Sequence, residues 1–132
     1  MRKLAVLVAL LATFAATASA EAKRLVRYDI TGGIAGIHER MVIDTDGTAV
    51  QTGGRGGDQR FSVEAKQLRA LKRELKAARF RSLKRRYQPS IRIFDGITQT
   101  VRHYGRSVSV YTGADVPARL ARVLRRLSRV MR

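Results

Sequence analysis

Two stretches of this chain carry apolar residues along one helical side and basic residues around the rest. Leu68, Leu71, Leu75 and Ala78 recur at steps of three and four, with Lys66, Arg69, Lys72, Arg73 and Lys76 covering the rest. Leu120, Leu124, Leu127 and Met131 repeat the pattern with Val123 and Val130 beside the stripe, while Arg119, Arg122, Arg126 and Arg129 line the opposite face. A helix with a single apolar stripe gains its stability by burying that stripe, and short helices alone in water are marginal. The rest of the chain must therefore provide an apolar surface wide enough for two helices.

Alternating segments provide it. Val26, Tyr28 and Ile30 point one way from a first strand, and Arg27 and Asp29 point the other. Ile37 to Ile43 alternates again, with Ile37, Met41 and Ile43 on one face and with Glu39 interrupting that face towards one end. Between them lies Thr31-Gly32-Gly33-Ile34-Ala35-Gly36, where glycine permits positive φ and close backbone approach. Asp44-Thr45-Asp46-Gly47 reads as a hairpin turn into a short strand, Thr48 to Thr52. The acidic start of that turn resembles a calcium loop, but its twelfth position is Arg55, where such a loop needs Glu. Thr52 to Asp58 reads as a flexible loop. Ser62 is the expected cap of the first helix, with Glu64 in its first turn and an end near Arg79, after which Phe80 returns to the core. Arg81 to Phe94 reads as a basic connection holding Pro89. Ile97 to Tyr104 and Ser107 to Tyr111 form a hairpin around Gly105-Arg106. Asp115 is the expected cap of the second helix, with Pro117 in its first turn. The pattern predicts an α+β domain: an antiparallel sheet of four to five strands with both helices on one face, in the order β-β-(β)-α-β-β-α.

The chain's first residues read differently. Arg2 and Lys3 precede an apolar run from Leu4 to Ala16, and Ala18-Ser19-Ala20 supplies the small residues at which a signal peptidase cuts. Leu4 to Ala20 is Ala- and Thr-rich and falls short of the roughly 20 strongly apolar residues a spanning helix uses. Residues 1–20 are thus expected to be a cleaved signal peptide, residues 21–132 a single secreted or cell-envelope domain, and no membrane span is expected after cleavage. Cysteine is absent, so disulfides, thiolate metal sites and a cysteine nucleophile are excluded.

The full chain has a formal net charge of +17. Such a field favours acidic partners. The basic stripes of the two expected helices lack interleaved aromatic residues, which gives no support to base stacking there, so a specific nucleic-acid partner is not expected. An anionic cell-surface polymer, met by the Arg119, Arg122, Arg126 and Arg129 face, is the reading that charge alone suggests. No catalytic or metal constellation is legible, and no cofactor is expected. His38 and His103 both fall in expected strands without metal spacing. Asp95, in Ile93-Phe94-Asp95-Gly96, is the carboxylate set apart, following two apolar residues in an expected turn.

Taken in order, several of these segments resemble the emfourin family, small proteinaceous inhibitors of thermolysin-like (M4) metalloproteases. They are Gly32-Gly33-Ile34-Ala35-Gly36, Val42-Ile43-Asp44-Thr45-Asp46-Gly47, the helical Leu71, Leu75 and Ala78-Arg79-Phe80, and Asp95-Gly96 leading to Val116-Pro117-Ala118-Arg119-Leu120. The likeness runs from about Val26 to Leu127. The family tends to carry Phe where this chain has Ile34 and an aromatic where it has Ile97. The resemblance implies a four-stranded antiparallel sheet with two helices, no chemistry of its own, and a secreted metalloprotease as partner. Gly32, Gly33, Ile34, Ala35, Gly36 and Ile37 are then the expected contact, with Ile34 filling an apolar pocket of the protease and Asp95 in a supporting turn.

Overall fold

The computed structural model describes residues 23–132. The expected signal segment, residues 1–20, lies outside them. The elements run β1 (Arg24–Gly32), β2 (Ile37–Asp44), β3 (Thr48–Thr52), β4 (Gln59–Ser62), α1 (Ala65–Ala78), β5 (Arg86–Tyr87), β6 (Ile97–His103), β7 (Arg106–Tyr111) and α2 (Ala118–Val130), with a 3-10 turn at Phe80–Ser82. The strands form one sheet in the order β4-β3-β2-β1-β6-β7-β5. Every pairing is antiparallel except β5 with β7, which is parallel.

The α+β class is as expected, but the sheet has seven strands and is mixed, where four to five antiparallel strands were expected. Two strands account for the difference. β4 follows the expected Thr52–Asp58 loop and takes in Ser62, the expected helix cap, and it pairs Gln59–Ser62 with Gln51–Thr48. Its four residues are too short for alternation to stand out, although Phe61 does pack against the core while Arg60 faces out. β5 lies in the segment read as a plain connection. Its two residues become a strand only because Arg86 and Tyr87 lie beside Ser109 and Val110. The element order is therefore β-β-β-β-α-β-β-β-α.

Both helix starts also shift. The Val63 amide donates to the Gly47 carbonyl (2.8 Å), so Ser62 ends β4 and Glu64 stands at the helix N-cap without a side-chain cap bond. At α2 the N-cap is Pro117, whose carbonyl accepts from Leu120 and Ala121, and Asp115 is exposed outside the helix. The end of α1 falls where expected. Arg79 takes a left-handed conformation (φ 49°) and Phe80 is buried behind it.

Leu71, Leu75 and Ala78 of α1 and Leu120, Val123, Leu124, Leu127 and Val130 of α2 share one core with Val26, Tyr28, Met41, Ile43, Ala49, Val101, Val108 and Val110 of the sheet. At the start of β1 the register slips between Arg24 and Val26, and Leu25 and Val26 are both buried across the irregularity. Two polar side chains enter this layer with partners. The Tyr28 hydroxyl donates to Gln99 Oε1 (2.7 Å) and lies 3.1 Å from Ser128 Oγ of α2, and burial pushes its phenol pKa up. Gln51 is 1% exposed, and its amide clasps the Arg132 backbone beyond α2, accepting from the Arg132 amide (2.8 Å) and donating to the Arg132 carbonyl. On the other face of the sheet Asp29 pairs with Arg27 (2.8 Å) and Arg40 (2.7 Å).

Candidate functional site

β1 ends at Gly32 and β2 begins at Ile37, so the glycine-rich run is a tight connection between two central strands. Its conformation depends on its glycines. Gly32, Gly33 and Gly36 have φ of 112°, 76° and 62°, in the region that favours glycine. A Cβ on Gly32 would also lie 2.8 Å from the Gly96 carbonyl oxygen of the neighbouring strand connection. The Gly36 amide donates to the Gly33 carbonyl (3.1 Å) and closes the turn. Ile34 and Ala35 are carried at its tip. Ile34 is 82% exposed, Ala35 is exposed, and Ile37 is half-buried at the base.

A second loop, leading from β5 into β6, holds this turn in place. The Gly33 amide donates to the Gly96 carbonyl (3.2 Å), and the Ile34 amide donates to the Asp95 carboxylate. The spacing in sequence is 61 residues, but β1 and β6 are neighbours in the sheet with Gly32 opposite Ile97. The second loop is itself anchored by Tyr111 of β7. The Tyr111 hydroxyl accepts from the Gly96 amide (3.2 Å) and donates to the Ile93 carbonyl. Gly96 packs so closely on the Tyr111 ring that a Cβ there would lie 2.2 Å from Cζ. Arg92 lies over the same ring, 5.7 Å from its centre.

Asp95, expected in a supporting turn, is thus joined to the Gly32–Ile37 turn through the Ile34 amide. The sequence reading missed what the second loop displays. Phe94 is 98% exposed, Ile91 is 82% exposed and Ile93 is 45% exposed, on the same loop whose Asp95 holds the Ile34 amide. Large apolar side chains held out into water by a hydrogen-bonded backbone are a mark of a contact surface. The signal was legible as Ile91-Arg92-Ile93-Phe94, an apolar cluster inside an otherwise basic connection that carries no helix or strand pattern of its own.

The two histidines fall elsewhere. His38 is exposed on β2. His103 packs edge-on to Phe80 with ring centres 5.4 Å apart, and its Nδ1 lies 2.8 Å from the Leu25 carbonyl. A carbonyl only accepts, so that nitrogen carries a proton and donates. The surface depression beside His103 is lined by Leu75, Lys76, Arg79, Phe80, Arg81, Tyr104 and Arg106, with no carboxylate among them. Among the described residues no three His, Asp or Glu side chains gather as a metal site, and no helix is long and apolar enough to cross a membrane.

Of the five arginines of the second helix, the four expected to form one face divide into two pairs. Arg119 turns towards α1, where its Nε donates to the Ala78 carbonyl (2.9 Å), and Arg126 forms a two-pronged pair with Glu74 of α1 (2.6 and 2.7 Å). Arg122 and Arg129 are exposed, as is Arg125, which the sequence reading passed over. A three-residue step turns a helix by about 300°, which sets Arg119 and Arg126 about 60° from Arg122 and Arg129. That offset separates a pair facing the neighbouring helix from a pair facing water.

No protein-family model and no curated protein matches this chain.

Proposed function

We propose that the protein is an exported, non-enzymatic inhibitor of thermolysin-like metalloproteases, blocking the target's active-site cleft with the Gly32–Ile37 turn. The observation that carries this reading is Ile34. It stands 82% exposed at the tip of a turn pinned by backbone bonds to Gly96 and by the Asp95 carboxylate. A convex tip suits a concave cleft. An exposed turn with glycine and alanine around Ile34 brings main chain close to a protease surface, and Ile34 is the right kind of side chain for the apolar pocket beside the cut bond. A tip already held in place loses little conformational entropy on binding. The resemblance to emfourins supplies the protease class, and Phe94 adds a second apolar contact alongside Ile34.

The test is enzymatic. Several thermolysin-like proteases are assayed with micromolar purified protein, and slowing of at least one is expected. Ile34→Asp then weakens inhibition by at least tenfold, because it forces an unpaired carboxylate into an apolar pocket. Failure to slow any of these enzymes overturns the reading, and unchanged potency of the variant moves the contact away from Ile34.

A further inference from the structure

The helical layer carries a second surface that owes nothing to the loop. Arg69, Arg73 and Lys76 of α1 and Arg122, Arg125 and Arg129 of α2 are all exposed. Within each helix they follow steps of three and four, so each set runs along one side for about 10 Å. The helices adjoin through the Arg126–Glu74 pair and the Arg119–Ala78 bond, which brings the two rows into a single field. Glu74 is the only acidic residue within either helix, and Arg126 already occupies both of its oxygens. Beside that pair lies a shallow depression of about 230 Å³ lined by Glu74, Arg122, Arg125, Arg126 and Arg129. Guanidinium groups converge on it, and guanidinium forks match phosphate oxygens.

The chemistry of the surroundings narrows the occupant. A helix that docks on a bilayer offers an apolar face to the acyl boundary. Here the apolar sides of both helices are buried against the sheet, and among the exposed residues of the helices the only apolar ones are alanines. Base reading in a single strand uses aromatic platforms, and neither helix contains an aromatic residue. What remains is recognition of closely spaced negative charge along a chain.

We propose that the joint outer face of α1 and α2 is a binding surface for a linear phosphate-bearing polymer, with the Arg122/Arg125/Arg129 depression seating a phosphate group. The proposal is independent of protease inhibition. Fluorescein-labelled long-chain inorganic polyphosphate serves as the probe, with binding to the purified protein followed by anisotropy at 50 and 200 mM salt. With six cations engaged, affinity falls about a thousandfold between the two salt concentrations. The triple variant Arg122→Gln, Arg125→Gln, Arg129→Gln keeps helix propensity and is expected to bind at least thirtyfold more weakly at 50 mM, with a shallower salt slope. Arg69→Gln, Arg73→Gln, Lys76→Gln gives the same direction of change and serves if the first variant misfolds. Arg55, Arg60 and Arg102 are also exposed but lie outside the helices. Changing these three to Gln removes the same charge and is expected to weaken binding less than threefold.

Equal weakening by this last variant would overturn the proposal in favour of net charge alone. So would the absence of polyphosphate binding at 50 mM salt. Tighter binding to anionic phospholipid vesicles at matched phosphate would overturn it in favour of a lipid surface, and a base preference among single-stranded DNA homopolymers would overturn it in favour of base recognition.

Discussion

Asp95→Ala isolates the latch between the two loops. Asp95 is exposed and lies outside the core, so the fold loses no packing with it. Its carboxylate accepts the Ile34 amide, while the nearby Gly33 and Gly96 carbonyls accept from the Gly36 and Gly33 amides instead. A hydrogen bond to a charged acceptor contributes about 1.5–3 kcal/mol. Water competes at an exposed site, so about 1–1.5 kcal/mol is a fair figure here. At 1.4 kcal/mol per factor of ten, the Ile34 amide should exchange with solvent roughly tenfold faster in the variant. NMR-detected amide exchange reads this directly and needs no target protease. The amides of Tyr28 and Asp29, in a strand flanked by β2 and β6, should not change. Asp95→Asn keeps an acceptor oxygen without the charge and should fall between the two. If the Ile34 amide exchanges at the same rate in wild type and Asp95→Ala, the loops are not latched through this carboxylate and the case for a pre-set tip fails. If the latch holds and inhibition is found, potency should drop by about the same factor of ten, since the released tip must be ordered again on binding.

Gly96→Ala should disturb the same end of the sheet, because its Cβ would lie 2.2 Å from the Tyr111 ring. A loss of about 1–3 kcal/mol in urea unfolding, from a displaced buried contact, is expected. Leu71→Ala, at a fully buried core position, should cost about 2–5 kcal/mol, seen as a lower melting temperature. Asp29 gives a pH dependence. Burial pushes its carboxyl pKa up, but hydrogen bonds and charge from Arg27 and Arg40 outweigh burial and hold it below the usual value. A depressed carboxyl stabilises the fold above its unfolded pKa of about 4 and loses that contribution as pH falls through its lower folded value. Asp29→Asn should therefore be less stable than wild type at pH 7 and should lose less stability on acidification below about pH 4. Parallel curves for the two proteins in urea melts across pH 2–7 would refute this.

Much of the architecture is local in origin. One-sided helices and two-residue alternation are written in consecutive residues, so Leu71–Ala78, Leu120–Val130, Val26–Ile30 and Val108–Val110 could be assigned inward faces before any fold was known. The Asp46-Gly47 turn and the glycine-rich turn were legible for the same reason, since few residue types accept a positive φ. β4 and β5 were not, because four and two residues carry too little pattern and become strands only by lying beside β3 and β7. The start of α1 moved because a long-range bond from Val63 to Gly47 outranked the local preference of Ser62 for a cap.

The site divides in the same way. The sequence alone marked Gly32–Ile37 as a special turn, singled out Asp95, and placed Arg119, Arg122, Arg126 and Arg129 on one helix. Only the tertiary structure joined Asp95 to Ile34 across 61 residues, left Phe94 exposed to water, and committed Arg119 and Arg126 to α1 while leaving Arg122, Arg125 and Arg129 free of it. Conformational preference and periodicity are properties of neighbours along the chain. Which loops meet, and which charges find a partner, depends on strand order and helix docking, and those are decided by how the whole core closes.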